Sequence, residues 1–278
     1  MGKVILILID ALRDDTARQS MGYLEHLVEY KRATRWSCRG EMPTMSRPMY
    51  ETIHTGVPPH VHGITSNAIV RRSIMPNVFE QARQHGKVTA ASAYAWFSEL
   101  YNRAPYDISA DKEVDDDALA IQHGRYYSHD DMPDAEVFAA GGALIRRFMP
   151  DYLLIHPMQT DTIGERYGGD SPEYRRNVTA QDVMIATLHP MVTALGYTVI
   201  VTGDHGMSDD PSQHGGSTPV QRNVPLYVIP PDGRGRGDLG VTVSQLQLAP
   251  TLLALLGVPI PSTMQAQPIH EAIGEHVP

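Results

Sequence analysis

Asp10, Asp161, Asp204, His205 and His214 have the side chains of a metal site, and a hydroxyl near residue 46 would complete it with a nucleophile. Carboxylate oxygens and imidazole nitrogens together suit divalent first-row ions, and a hydroxyl beside such an ion is activated for displacement. Asp10 follows the apolar run Val4-Ile-Leu-Ile-Leu-Ile9, and Asp161 comes soon after the run 152–155. Either carboxylate alone reads as a helix cap or a solvated loop group. The pair Asp204-His205 is more specific. Adjacent residues at a strand end can face two neighbouring ions, and Gly203 and Gly206 allow close backbone approach. His214, before Gly215 and Gly216, follows closely enough to join them. In the segment 43–67, Thr44 and Ser46 both precede Pro48 at a helix start, where backbone N–H groups favour an anion. Local pattern alone leaves both hydroxyls open, and either also suits an N-cap.

These residues need a scaffold that brings distant strand ends to one rim. Apolar runs at 4–9, 88–93, 152–155, 198–201 and 226–229 are continuous rather than alternating, as parallel strands covered on both faces require. Helical patterns lie near 20–31, 76–85, 134–148, 173–195 and 244–256. The last has Ser244 to cap its start and Gly257 then Pro259 to stop it. Strand–helix alternation predicts an α/β fold, a doubly wound, mostly parallel sheet with helices on both faces and ligands beyond the carboxyl ends of the strands. The expected organisation is a single metallohydrolase domain over 1–278. The acidic, weakly periodic stretch 107–134 reads as a solvated excursion or a small lid.

Bulk properties narrow the function. With 278 residues and 42% hydrophobic content the chain can bury a large core, and its net charge of −9 excludes a basic nucleic-acid-binding face. That charge leaves a small phosphate ester open as a partner, because bound metal can reverse the sign of the local field, while neither a nucleic acid polymer nor a membrane is expected. Cys38 is the sole cysteine, so no disulfide framework exists and a cytoplasmic, reducing compartment is expected. The apolar N-terminus reads as a first strand rather than a signal core, and no run reaches the roughly 20 apolar residues of a membrane span.

Taken in order, these motifs resemble the alkaline phosphatase superfamily, most closely its nucleotide pyrophosphatase/phosphodiesterase branch. The resemblance runs through Asp10-Ala-Leu-Arg13, the segment around Ser46, Thr55-Gly56, His62-Gly63-Ile64, Asp161-Thr-Ile-Gly164, Thr202-Gly-Asp204-His205-Gly206, His214-Gly-Gly216 and Leu248 to Pro259. It implies that the nucleophile is the hydroxyl two residues before a proline, hence Ser46, and that Asn67 hydrogen-bonds a phosphoryl oxygen. His62 is structural in this reading. Related sulfatases need an arginine where this chain has Tyr50 to convert the nucleophile to formylglycine, so that modification is not expected.

One position departs from the pattern: the branch has Asp-x-x-Gly-His, and this chain has Glu165 for the histidine. Carried over residue by residue, one ion would have Asp161, Glu165 and His214, and the other Asp10, Ser46, Asp204 and His205. Four carboxylates then balance two divalent ions, which favours Mn²⁺, while Zn²⁺ also accepts carboxylate oxygen. The resemblance implies a phosphodiesterase or nucleotide pyrophosphatase acting through a phosphoseryl intermediate. Alternatives are a phosphomonoesterase or phosphonate hydrolase, a phosphomutase, or a non-catalytic binding protein on the same scaffold. Backbone N–H groups near Ser46 and Arg47 would hold phosphoryl oxygens. The Arg47 side chain either contacts phosphate or pairs with a nearby acid. Arg13, Tyr94, Trp96, Phe97, Tyr126 and Tyr127 could border a leaving-group pocket, although aromatics in such runs are more often core.

Overall fold

The structure is a computed structural model that describes residues 2–211 and 214–274. Its strands are β1 (Lys3–Ile9), β2 (Thr34–Arg39), β3 (Thr89–Tyr94), β4 (Glu113–Asp115), β5 (His123–Tyr127), β6 (Tyr152–Ile155), β7 (Tyr197–Gly203), β8 (Asn223–Ile229) and β9 (Gly237–Ser244). They form one sheet in the order β4-β5-β3-β6-β1-β7-β8-β2-β9. β1 pairs in parallel with β6 and β7, and β3 pairs in parallel with β5 and β6.

The uninterrupted apolar sequence of β1 has a direct structural reason. Val4, Leu6 and Leu8 enter one core layer, while Ile5, Ile7 and Ile9 enter the other. A strand alternates its side chains between faces, so only a strand covered on both needs apolar residues throughout. One layer is completed by the helices Ser46–Thr55, Val78–Gln84, Trp96–Tyr101 and Leu248–Leu256. The other is completed by Asp14–Ser20, Gly22–Glu29, Asp134–Phe148 and Pro172–Ala194. Each fully buried aliphatic side chain contributes about 2 kcal/mol, and the strip β6-β1-β7 is buried on both faces. The predicted mostly parallel sheet with helices on both faces is therefore present.

Several details differ from the sequence expectations. β8 runs antiparallel to β7, with Val199 opposite Ile229, so its continuous apolar sequence signals burial rather than strand direction. The helix expected near 20–31 is present as Gly22–Glu29, and it is preceded by a further helix, Asp14–Ser20, that the apolar pattern did not indicate. β2 was not anticipated, because Arg35 and Ser37 interrupt its apolar pattern. Arg35 is nevertheless fully buried, paired with Asp14, Glu25 and Asp238. Within 107–134 lie the short helix Ile108–Asp111, β4 and β5, and Tyr126 and Tyr127 of β5 are buried. At the C-terminal end Ser244 caps a short 3-10 turn, Leu248–Leu256 follows, and Gly257 closes the helix at a φ of 68°. No helix among the described residues is long and apolar enough to cross a membrane.

Candidate metal centre and nucleophile

Because β6, β1 and β7 are parallel neighbours, their carboxyl ends open on the same rim. Asp10 follows β1 directly and Asp204-His205 follow β7. The chain leaving β6 passes through His156 into the helix Gln159–Tyr167, which carries Asp161 and Glu165 one turn apart on one face. The glycines flanking Asp204-His205 are needed for close approach. A Cβ on Gly203 would meet the Leu12 carbonyl oxygen at 2.9 Å, and one on Gly206 would meet that of Val220 at 2.0 Å.

Two overlapping sets of donors result. Ligand atoms of Asp10, Asp204 and His205 lie within 4.8 Å of one another, as do those of Asp161, His205 and His214. His205 belongs to both sets. Glu165 lies outside these tight groups but reaches His214, with its Oε1 3.0 Å from Nε2, whereas Asp161 Oδ1 is 3.9 Å from that nitrogen. The rings of His205 and His214 stack with centroids 4.7 Å apart.

In the inner set, each ligand has one atom fixed and one left over. Nδ1 of His205 faces the Gly206 carbonyl oxygen at 2.9 Å, and a carbonyl can only accept, so Nδ1 carries the proton and Nε2 presents a lone pair. Asp204 Oδ1 accepts from the Ala11 N–H at 3.0 Å. Ala11 has a φ of 58°, a left-handed conformation that disfavours alanine by roughly 1 kcal/mol and here aims that N–H. The Tyr50 hydroxyl donates to Asp10 Oδ2. Left over are Asp10 Oδ1, Asp204 Oδ2 and, from the outer set, Asp161 Oδ1, all buried and without a hydrogen-bond partner. His205 Nε2 lies 3.4 Å from both Asp10 Oδ1 and Asp204 Oδ2. Carboxyl oxygens without hydrogen-bond partners that converge on a lone pair are the surroundings a cation satisfies, so these residues fit a divalent metal.

The ionisation behaviour agrees. Burial, reinforced by the charge on Asp10, pushes the carboxyls of Asp161 and Asp204 well above their ordinary values. Burial also acts against Asp10, but its contacts with His156, His205 and Tyr50 prevail and hold it below the usual carboxylate value.

Ser46 opens the helix Ser46–Thr55, and its Oγ lies 3.2 Å from His205 Nε2. Thr44, the other hydroxyl in this segment, donates to the Gly216 carbonyl at 2.7 Å. The Arg47 N–H donates to Asn67 Oδ1 at 3.0 Å, so it is already engaged rather than waiting for a phosphoryl oxygen. That bond fixes the Asn67 amide with its Nδ2 group left as the donor end. The buried Arg47 guanidinium sits 2.7 Å from Glu99, donates from Nε to the Asn67 carbonyl at 3.0 Å and lies over the Trp96 ring at 4.3 Å. Arg13 is also buried, held by Asp15 and Asp209. Phe97, Tyr126 and Tyr127 are core residues, whereas Tyr94 and Trp96 are half-buried.

Sequence reasoning missed His156, Tyr50 and Glu99. His156 Nε2 lies 3.4 Å from Asp10 Oδ2, and Glu99 holds Arg47. The only available signal was the recurrence of Tyr50 and Glu99 on helices that begin at residues already singled out.

The sequence model for type I phosphodiesterase / nucleotide pyrophosphatase matches residues 4–221. Human GPI ethanolamine phosphate transferase 2, catalytic subunit, is 28% identical over 281 residues, covering 93% of this chain and 27% of that protein. The 2,3-bisphosphoglycerate-independent phosphoglycerate mutase of Haloquadratum walsbyi is 27% identical over 213 residues, 71% of this chain and 42% of that protein. The chain thus spans less than half the length of both. Among solved structures, human ectonucleotide pyrophosphatase / phosphodiesterase 5 has a TM-score of 0.73 at 13% identity, over 98% of this chain and 99% of that one. A phosphonate monoester hydrolase from Silicibacter pomeroyi has a TM-score of 0.65 at 17% identity, over 100% and 78%. At such identities the structures share a fold. Sheet order, rim and family match converge: the chain belongs to the type I phosphodiesterase / nucleotide pyrophosphatase family of the alkaline phosphatase superfamily.

Proposed function

We propose that this protein cleaves phosphodiesters by covalent catalysis from Ser46. The observation that carries this reading is the placement of Ser46 Oγ 3.2 Å from the lone-pair nitrogen of His205, beside carboxylate oxygens that lack any donor. Two divalent ions, Mn²⁺ or Zn²⁺, would be held by Asp10, Ser46, Asp204 and His205 and by Asp161, Glu165 and His214. When bound, they would supply Lewis acidity that favours the Ser46 alkoxide and offsets phosphoryl charge.

Ser46 Oγ forms a bond to phosphorus as the bond to the leaving-group oxygen breaks, and that oxygen takes up a proton. Asn67, its amide oriented by Arg47, donates from Nδ2 to a phosphoryl oxygen. Water then attacks the phosphoserine, its oxygen joins phosphorus, and Ser46 Oγ is released and reprotonated. The buried, paired state of Arg47 supports a role in holding Asn67. The single Cys38, buried with its thiol pushed up by burial, suits a reducing compartment.

A second reading has an alcohol replace water in the final step, making the enzyme a transferase. The names of the ethanolamine phosphate transferases that match 93% of this chain favour it. The test compares release of p-nitrophenol from bis-p-nitrophenyl phosphate and from the monoester, with Mn²⁺ or Zn²⁺, with and without added ethanol. Faster diester cleavage supports the main reading, and an ethyl ester product supports transfer. Turnover of the monoester alone makes it a monoesterase, and metal binding without turnover of either overturns catalysis.

A further inference from the structure

The inner ligands are oriented in the same way on two neighbouring strands. On β7 a backbone donor occupies Asp204 Oδ1 and leaves Oδ2 for a ligand role. On β1 the corresponding donor is a side chain, the hydroxyl of Tyr50, which occupies Asp10 Oδ2 and leaves Oδ1. His156 Nε2 also lies 3.4 Å from Oδ2 but without the geometry of a hydrogen bond, so the hydrogen bond to this oxygen comes from Tyr50. Tyr50 lies one helical turn beyond Ser46, and the same helix therefore delivers both the hydroxyl near His205 and the donor on Asp10. The ring is fully buried, stacks on Phe97 with centroids 4.4 Å apart and meets His156 edge-on at 4.8 Å. Its orientation is fixed by packing that does not involve its hydroxyl.

We infer that Tyr50 is a positioning residue for the metal centre: its hydroxyl holds Oδ2 of Asp10 so that Oδ1 is the atom offered to the ion shared with Asp204 and His205. The inference rests on the metal-dependent reading above only in needing a bound divalent ion. Groups that orient a ligand in this way typically change metal affinity about 10- to 100-fold. Tyr50→Phe keeps both ring contacts and removes the hydroxyl alone. Tyr101→Phe is the control, because it removes another buried hydroxyl, one that contacts the Tyr50 carbonyl at 3.2 Å and Glu51 at 3.1 Å but not Asp10.

Mn²⁺ and Zn²⁺ affinities of the apo-protein are measured by competition with a chromogenic chelator, without substrate. Tyr50→Phe should weaken one of the two binding events at least tenfold, Tyr101→Phe should stay within threefold of wild type, and 4-aminophenylalanine at position 50, which restores a donor, should recover most of the loss. Unchanged affinity in Tyr50→Phe, or an equal loss in Tyr101→Phe, overturns the inference. If Tyr50→Phe does not fold, the 4-aminophenylalanine protein carries the test, and a tenfold loss there also overturns it. The two readings fail separately. Diester turnover with unchanged affinity in Tyr50→Phe defeats only the positioning role, while the affinity pattern without turnover of any ester defeats only the catalytic one.

Discussion

Glu165→His tests whether the extra carboxylate sets the metal preference. Glu165 Oε1 lies 3.0 Å from His214 Nε2, on a side chain that is 47% exposed. A unit charge about 4 Å from another is worth about 4 kcal/mol at an effective dielectric of about 20. With half the side chain in water, screening reduces this to on the order of 1–2 kcal/mol, or about tenfold in affinity. That loss falls on either divalent ion, but imidazole suits zinc and carboxylate suits manganese, so the histidine should restore Zn²⁺ binding and not Mn²⁺ binding and raise the Zn²⁺ to Mn²⁺ ratio in the protein about tenfold. Glu165→Gln, which keeps an oxygen donor but not the charge, should weaken both ions and leave their ratio near the wild-type value. The assay is dialysis against equal, limiting concentrations of both ions followed by elemental analysis. A ratio within twofold of wild type in Glu165→His would refute the argument and remove Glu165 from the ligand set.

Ser46→Ala should lower turnover about 10³-fold or more while the Asp161 and His214 set still binds metal, read by paired kinetics and elemental analysis; near-normal turnover would indicate direct attack by water. Glu99→Ala strands the buried Arg47 guanidinium and should cost about 3–5 kcal/mol, lowering the melting temperature by about 10 °C. The apolar pair Arg47→Met with Glu99→Leu should recover most of that loss, and a Glu99→Ala protein as stable as wild type would show that the pair is not desolvated. Burial pushes the Glu51 carboxyl up to about 7, against the hydroxyl donors Ser73 and Tyr101. Its folded value lies above its unfolded one, so its contribution is fully present below about pH 4.5 and is lost as pH rises through about 7. Chemical denaturation of Glu51→Gln should therefore show on the order of 3 kcal/mol less decline than wild type between pH 4.5 and 8; parallel profiles would assign that pH dependence to other groups.

The sequence was most legible where one physical demand dominates. β1, β6 and β7 are apolar on both faces because both are covered, and their polar continuations fall at the rim for the same reason. Direction was not legible: nothing in Asn223–Ile229 distinguishes a buried antiparallel strand from a buried parallel one. β2 was hidden because the acids that satisfy Arg35 come from Asp14, Glu25 and Asp238, far apart in sequence. The same reason hid Tyr50, His156 and Glu99. A residue that aims another is defined by its partner, and those partners become visible only once the chain is folded.

The two halves of the metal centre rest on unequal foundations. Asp10 and the Asp204-His205 pair stand directly on neighbouring central strands joined by a full ladder of backbone bonds, whereas Asp161 and Glu165 ride on the helix Gln159–Tyr167 and His214 on irregular backbone. Parts of a protein open independently, and those secured by fewer buried contacts open first. Amide exchange should therefore be slowest at Leu8 and Thr202 and faster around Glu165 and His214. If both proposed ions bind, a chelator should strip them in sequence, leaving a long-lived species with one metal held at the end of the central strands.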